Sequence, residues 1–281
     1  MYARPRTVEE AVAALATPRA LILCGGTDVF PAHVARPINR PVVDISGIGA
    51  LRDIGAEAGF IRIGAAASWS DIVAAPLPPA FAALKQAARE VGSIQIQNRG
   101  TIGGNLCNAS PAADGVPPLL ALDAEAEILG PAGRRRLPLS EFIAGYRRTA
   151  LASGEMLVAV RIPQPSPETR SAFVKLGARR YLVISIVMVA ALLECDSAGR
   201  ITGARVAVGA ASEVARRLKN LEDDLIGCSA SESPSSRLRS RHLEGLSPID
   251  DVRATAAYRK EAALALVGEA LDRAAGASHG G

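Results

Sequence analysis

Apolar and polar positions along the chain follow two rhythms, and their order sketches the fold. Thr7, with Glu10 three residues on and AVAAL behind it, has the spacing of a helix start with a capping box. Residues 79–91 place Phe81, Leu84, Ala88 and Val91 on one helical face, and residues 68–75 read as a short helix capped by Ser68 or Ser70. Between these, residues 20–24 and 41–45 are short apolar runs of strand length, and FIRIG at 60–64 alternates as a half-buried strand does. Residues 119–129 read as helix then strand, and EMLVAVRI at 155–162 is a strand ended by Pro163 and Pro165. Composition shifts at 163–167, which marks a domain boundary. Beyond it, residues 171–176, 186–195 and 201–209 predict a small antiparallel sheet. Residues 229–236 read as a polar loop, 251–275 as a long Ala-rich amphipathic helix, and the terminal ASHGG as a frayed end. No internal repeat is present.

Composition narrows the class without naming it. The 281 residues suit two domains, and 49% hydrophobic with 21% charged residues excludes wholesale disorder. Aromatics reach only 4%, so the core is built from Ala, Val, Ile and Leu. A net charge of +4 is too small to argue for nucleic acid without a clustered patch, and Arg134–Arg136 reads as a short basic run on a solvated turn. No apolar run reaches the ~18 residues of a membrane helix, and the N-terminus lacks a basic-then-apolar leader pattern. Cys24, Cys107, Cys195 and Cys228 are scattered, and His33, His242 and His279 have no partner at ligand spacing. That argues against a metal or iron–sulfur site built by this chain alone and for free thiols in a reducing cytoplasm.

One stretch departs from both rhythms. GSIQIQNRGTIGGNLCNASPAADGVPP, residues 92–118, is rich in glycine and amides, and reads as a long functional loop. It contains the second of two glycine turns, Thr101-Ile102-Gly103-Gly104-Asn105. The first, Gly25-Gly26-Thr27-Asp28, follows an apolar strand. Glycines let backbone amides approach an anion closely, and a Thr hydroxyl adds a donor, so two such turns suggest a pyrophosphate held from both sides. Spacing alone leaves ordinary turns equally open. GxGxxG and GxxxxGK[ST] are both absent, which disfavours a dinucleotide fingerprint of the Rossmann kind and a P-loop. Asp114 is either a hydroxyl acceptor or a helix cap.

These residues resemble a known family. Ile22-Leu-Cys-Gly-Gly-Thr-Asp28, Arg62-Ile-Gly-Ala65 and Gly100-Thr-Ile-Gly-Gly-Asn-Leu-Cys-Asn-Ala-Ser-Pro111 with Asp114 are similar to the FAD-binding medium subunit of molybdenum hydroxylases, the xanthine dehydrogenase and carbon monoxide dehydrogenase family. The likeness continues through Phe173-Val-Lys-Leu-Gly-Ala-Arg179 to Pro248-Ile-Asp-Asp-Val-Arg253 and Tyr258-Arg259. It implies an α+β protein: a two-subdomain α/β FAD-binding fold of the PCMH type over 1–165, divided near 57, then a C-terminal domain of antiparallel sheet and helices over 168–275, with 276–281 frayed.

It also implies a site. Ile22, Leu23, Cys24, Gly25, Gly26, Thr27, Asp28 and Val29 would hold the FAD pyrophosphate together with Thr101, Ile102, Gly103, Gly104 and Asn105. Asp114 would accept a hydroxyl of the nucleotide or ribityl chain, Leu157 would pack near the isoalloxazine, and Lys175 would lie at the flavin's carbonyl edge, where a cation raises the flavin's potential. Where some relatives stack an aromatic ring on the flavin, this chain has Val91; Phe173 or Tyr181 is the substitute, with core packing the simpler reading of both. By resemblance the chain relays electrons within a cytoplasmic complex. A [2Fe–2S] small subunit would deliver them from a molybdopterin large subunit, in a dimer of heterotrimers, and FAD would pass them to NAD⁺ or another acceptor. The competing expectation is a stand-alone FAD oxidoreductase of the vanillyl-alcohol oxidase type.

Overall fold

The computed structural model describes residues 1–276, so all but the first residue of the expected frayed tail lies outside the described residues. The chain mixes helix and sheet and resolves into two compact units, each assembled from separated stretches: 1–75, 94–109 and 124–163 in the first, and 76–93, 110–123 and 164 onward in the second. The excursions 76–93 and 110–123 therefore belong in packing with the later sheet, although in sequence they precede the boundary read at 163–167.

The first unit has two main sheets. β1 (Tyr2–Ala3), β2 (Leu21–Leu23) and β3 (Val42–Asp44) pair in parallel in the order β1-β3-β2. β4 (Ile54–Glu57), β5 (Phe60–Gly64), β6 (Glu125–Gly130), β7 (Gly133–Pro138), a two-stranded ribbon of β8 (Ile143–Gly145) and β9 (Arg148–Thr149), and β10 (Met156–Pro163) follow. The five-stranded antiparallel sheet runs β4-β5-β10-β6-β7. The change of sheet falls between Asp44 and Ile54, and residue 57 itself ends β4. Met156 and Val158 of β10 pack with Ala11, Leu15, Val43 and Ile48 in one core. On β10, Arg161 sits directly opposite Arg62 of β5, a repulsive register that three features offset. Glu127 lies within 4 Å of both guanidiniums, Glu57 does likewise, and Arg161 stacks 4.0 Å over the Phe60 ring.

Short helices in this unit are fixed by their caps. Thr7 accepts from the Glu10 amide at 3.1 Å, but the Glu10 carboxylate reaches the Arg6 amide rather than Thr7, so the capping box read there is half formed. Helix Trp69–Ala74 is closed by a full box, with Ser68 and Asp71 each bonding the other's amide, and Ser70 is not the cap. Ser68→Ala is expected to cost about 1 kcal/mol, read as a shift in the urea midpoint.

The second unit is a three-layer stack. β11 (Arg170–Leu176), β12 (Val187–Cys195), β13 (Ile201–Gly209) and β14 (Arg216–Arg217) form an antiparallel sheet in sequential order. Val187, Val189, Ala191 and Leu193 of β12 face the core shared with helices Lys219–Leu225 and Ala256–Ala274. Met188, Ala190 and Leu192, equally buried, face the layer of helices Ala82–Glu90 and Val116–Ala121. Burial on both faces explains why the strand reads as an unbroken apolar run. Each Val or Leu so enclosed contributes roughly 1.5–3 kcal/mol.

Three sequence expectations are corrected. Residues 92–118 are largely helical: Ile94–Arg99, Ile102–Asn108 and Val116–Ala121. Each is two turns or less, too short to show a period, and the glycines and amides lower intrinsic propensity while caps and packing decide. Arg134–Arg136 lies on β7, not a turn, with Arg135 paired to Glu155 at 2.6 Å and Arg134 to the buried Glu127. The last helix starts at Ala256 rather than 251, because Thr255 caps it and Asp251 is drawn into ion pairs with Arg253 and Arg259. Burial disfavours the charged carboxyl of Asp251, but these two arginines and the Arg253 amide hold it well below the usual carboxylate range.

Candidate functional site

In the first unit, β2 delivers the chain into the first glycine turn. Ile22 and Leu23 are half-buried strand residues, and Cys24 to Val29 form the turn that follows. Gly26 takes φ +74°, in the left-handed region that glycine tolerates at little cost. A Cβ on Gly25 would stand 1.9 Å from the Arg99 carbonyl oxygen, so the turn lies directly on the backbone that leads into the second glycine turn. Cys24 joins the same contact: the Thr101 hydroxyl is its hydrogen-bond partner, while burial pushes the thiol up from its ordinary value. The two motifs, well separated in sequence, thus form one surface.

Their chemistry is not the same. Among the described residues, none accepts a hydrogen bond from the amides of Gly26, Thr27 or Asp28. Unsatisfied backbone donors are what an anion binds, and this run passes from buried Gly26 through half-buried Thr27 to exposed Asp28. The second motif is the start of helix Ile102–Asn108, and its amides are spent within the fold. Ile102 donates to Ala67 O, Gly103 to Ala65 O, Gly104 to the Thr101 cap oxygen at 3.1 Å, and Asn105 to Thr101 O. What it offers is clearance and a side chain. Gly104 is exposed, a Cβ there would meet only the Thr101 cap oxygen, and the Asn105 carboxamide oxygen is buried without a partner. An orphaned buried oxygen beside a bare glycine and a donor turn fits a bound polar group with both anionic and hydroxyl functions. Ile102 and Gly103 are buried and position the helix, which packs against β10. Leu157 lies on that strand at a bulge against β6 and is 4% exposed.

The second unit gathers the remaining candidates. Lys175 on β11 donates to Asp114 Oδ2 at 2.7 Å and to the Glu90 carbonyl at 3.1 Å, and Ser185 donates to Asp114 Oδ1 at 2.6 Å. Both charged side chains are over nine-tenths buried. Burial pushes the Asp114 carboxyl up, against the pull of the Lys175 ammonium and the Ser185 hydroxyl. Asp114 is therefore not a helix cap; helix Val116–Ala121 has no side-chain cap. Val91 follows Glu90 as the C-cap residue of helix Ala82–Glu90. Phe173 is buried, with its amide donating to Gln86, as core packing predicts, but Tyr181 is 62% exposed and not a core residue. Sequence reasoning assigns Asp114 and Lys175 separate tasks and passes over Ser185 and the Glu90 carbonyl; no spacing links positions 90, 114, 175 and 185.

Comparison with known proteins identifies the two domains. Residues 1–165 match the family model described as the FAD binding domain in molybdopterin dehydrogenase, and residues 172–274 match the CO dehydrogenase flavoprotein C-terminal domain. The chain is 31% identical over 284 residues to a putative xanthine dehydrogenase FAD-binding subunit of Escherichia coli (strain K12), covering 99% of this chain and 97% of that one. It is 35% identical over 232 residues to the nicotinate dehydrogenase FAD-subunit of Eubacterium barkeri, covering 79% and 78%. Among solved structures, reconstituted CO dehydrogenase from Oligotropha carboxidovorans contains a chain of 26% identity that superimposes with a TM-score of 0.88, covering 99% of this chain and 98% of that one. Quinoline 2-oxidoreductase from Pseudomonas putida 86 gives a TM-score of 0.87 at 29% identity with the same coverage. These likenesses do not favour the stand-alone oxidase. The chain belongs to the family of FAD-binding subunits of molybdopterin-dependent dehydrogenases, and is an oxidoreductase component with an FAD-binding domain.

Proposed function

We propose that this chain is the electron-transfer subunit of a molybdenum-containing hydroxylase, taking electrons from [2Fe–2S] clusters on a small subunit and passing them to NAD⁺ or another acceptor. A molybdopterin large subunit completes the proposed complex, a dimer of heterotrimers in the cytoplasm. The observation that carries the reading is the Cys24–Asp28 turn, with three unspent amides seated on the backbone before Thr101. FAD, when bound, supplies a two-electron carrier that accepts and releases electrons singly or as hydride.

The chain's own residues bind and orient. The amides of Gly26, Thr27 and Asp28 receive the pyrophosphate oxygens, and bare Gly104 leaves room for them. The Asn105 carboxamide oxygen accepts from a hydroxyl of the cofactor. Leu157 supplies apolar surface for the ring system, and Val91 stands where a stacking ring is found in some relatives. Asp114 and Lys175 are proposed to serve the cofactor as one neutral pair, the carboxylate accepting a hydroxyl and the ammonium facing the flavin's carbonyl edge.

The test is the visible spectrum of the purified full chain, with the released cofactor identified after heat denaturation. A flavin envelope near one FAD per chain is expected. A colourless chain that takes up no added FAD, alone or with the partner subunits present, refutes the proposal. Reduction of the flavin by the co-purified complex, with NAD⁺ then supplied or withheld, identifies the acceptor.

A further inference from the structure

The first glycine turn contains a contradiction. Its amides are disposed to hold an anion, yet the same turn carries an exposed carboxylate, Asp28. An uncompensated negative charge there would repel the phosphates that the turn is proposed to receive. The structure shows how this is handled. The Asn108 side-chain amide donates to Asp28 Oδ2, and the Arg147 guanidinium donates to Asn108 Oδ1, so a chain of hydrogen bonds runs from the turn to an arginine far along the sequence.

The bridge also joins the two halves of the proposed clamp. Asn108 is the last residue of the helix that begins at Ile102, so its side chain ties the first turn to the far end of the element bearing the second. Arg147 is itself anchored at that helix end: its amide donates at 3.0 Å to the carbonyl of Ala109, the left-handed C-cap. A cation at a helix C-terminus is favourably placed, and here it is linked through Asn108 to the carboxylate of the turn. Arg147 takes φ +54° in the turn between β8 and β9, and its guanidinium lies 6.0 Å from the Tyr146 ring.

We infer that Arg147 is a positioning residue for pyrophosphate binding: through Asn108 it neutralises Asp28 and holds the first glycine turn against the helix that carries the second. The inference rests on the proposed FAD reading and deepens it. Arg147 touches no cofactor; it acts by keeping the Asp28 charge matched through the Asn108 bridge. Loss of Arg147 therefore weakens FAD binding chiefly through Asp28, and removing the Asp28 charge as well restores it. A residue that merely propped the helix end would show no such dependence on Asp28.

The measurement is the FAD dissociation constant of the full-length chain, followed by flavin fluorescence on titration with FAD. Arg147→Met is expected to weaken binding about tenfold. Arg147→Gln, which keeps a donor for Asn108 and drops only the charge, should do likewise, and Arg147→Lys should stay within about threefold of the native chain. Adding Asp28→Asn to Arg147→Met should return the affinity to within about threefold. Native-like binding by both Arg147→Met and Arg147→Gln overturns the inference, as does a loss that Asp28→Asn leaves in place. A native chain that binds no FAD instead overturns the cofactor reading and this inference with it, so the two failures are told apart by the unsubstituted protein.

Discussion

Replacing Lys175 with Met is expected to cost about 3–5 kcal/mol of folding stability, a large share of what a domain has to lose. The reason is the group left behind. Asp114 is buried with Lys175 paired to it at 2.7 Å, and among the described residues the side-chain partner left without it is the Ser185 hydroxyl. The carboxyl then answers by taking up a proton, which gives the loss a pH dependence of known sign. Its folded pKa, already raised by burial, rises further, so the protonated form is favoured in the folded state. Stability of the variant is highest at low pH and is lost as pH rises through that folded value. Urea midpoints at pH 5 and pH 8 should therefore diverge in Lys175→Met more than in the native chain. Lys175→Met/Asp114→Asn, which removes both charges, should recover most of the stability at pH 8. Equal midpoints for the single and double variants would show that the pair is not coupled. The same substitution also tests the proposed role toward the flavin: its potential should fall with FAD still bound, and an unchanged potential removes Lys175 from that role.

Gly25→Ala is expected to abolish FAD uptake, with affinity reduced at least about 100-fold, and to destabilise the chain by roughly 1–3 kcal/mol. A methyl group at 1.9 Å from the Arg99 carbonyl cannot be accommodated by rotating a side chain, because what it meets is backbone. The two glycine motifs must then part, and with them the surface they share. Gly104→Val makes the instructive contrast. There the new Cβ meets only the Thr101 cap oxygen, at 3.0 Å, and the position is open to solvent. Stability should change by no more than about 1 kcal/mol, while FAD affinity drops at least about tenfold because the branch occupies space assigned to phosphate. Thermal unfolding and FAD titration on both variants separate the two effects. Full FAD occupancy in Gly104→Val refutes the placement of phosphate over that residue.

Much of the architecture is readable from apolar pattern. β11, β12 and β13 occur where the runs at 171–176, 186–195 and 201–209 predict them, and they form the antiparallel sheet expected. Phe81, Leu84 and Ala88 are fully buried, as their shared helical face requires. Long, strongly patterned segments are legible because burial alone decides them. The 92–118 stretch reads as loop because its helices are set by Thr101 and by packing, neither of which leaves a period. At the site, the glycine turns are visible as composition, but not the difference between them. That difference lies in whether each amide already has a partner, and Ala65 and Ala67, which take two of them, carry no chemical signature. Asn108 stands within the family motif without a task, and Arg147 outside it, since a hydrogen bond across such sequence distances has no local mark.

The interleaving of the two units has a consequence during synthesis. Helices Ala82–Glu90 and Val116–Ala121 are made early, but the sheet face they cover belongs to strands that begin only at Arg170. At about 5–20 residues per second, the ribosome needs seconds more to supply β11 to β13 after both helices have emerged, and their apolar faces stay uncovered for that interval. The nascent chain is thus sticky before it is stable, and a chain released at Pro165 would carry those two helices with no sheet to receive them. Demand for a holding chaperone should accordingly peak while the third quarter of the protein is being translated and subside once Gly209 has cleared the exit tunnel.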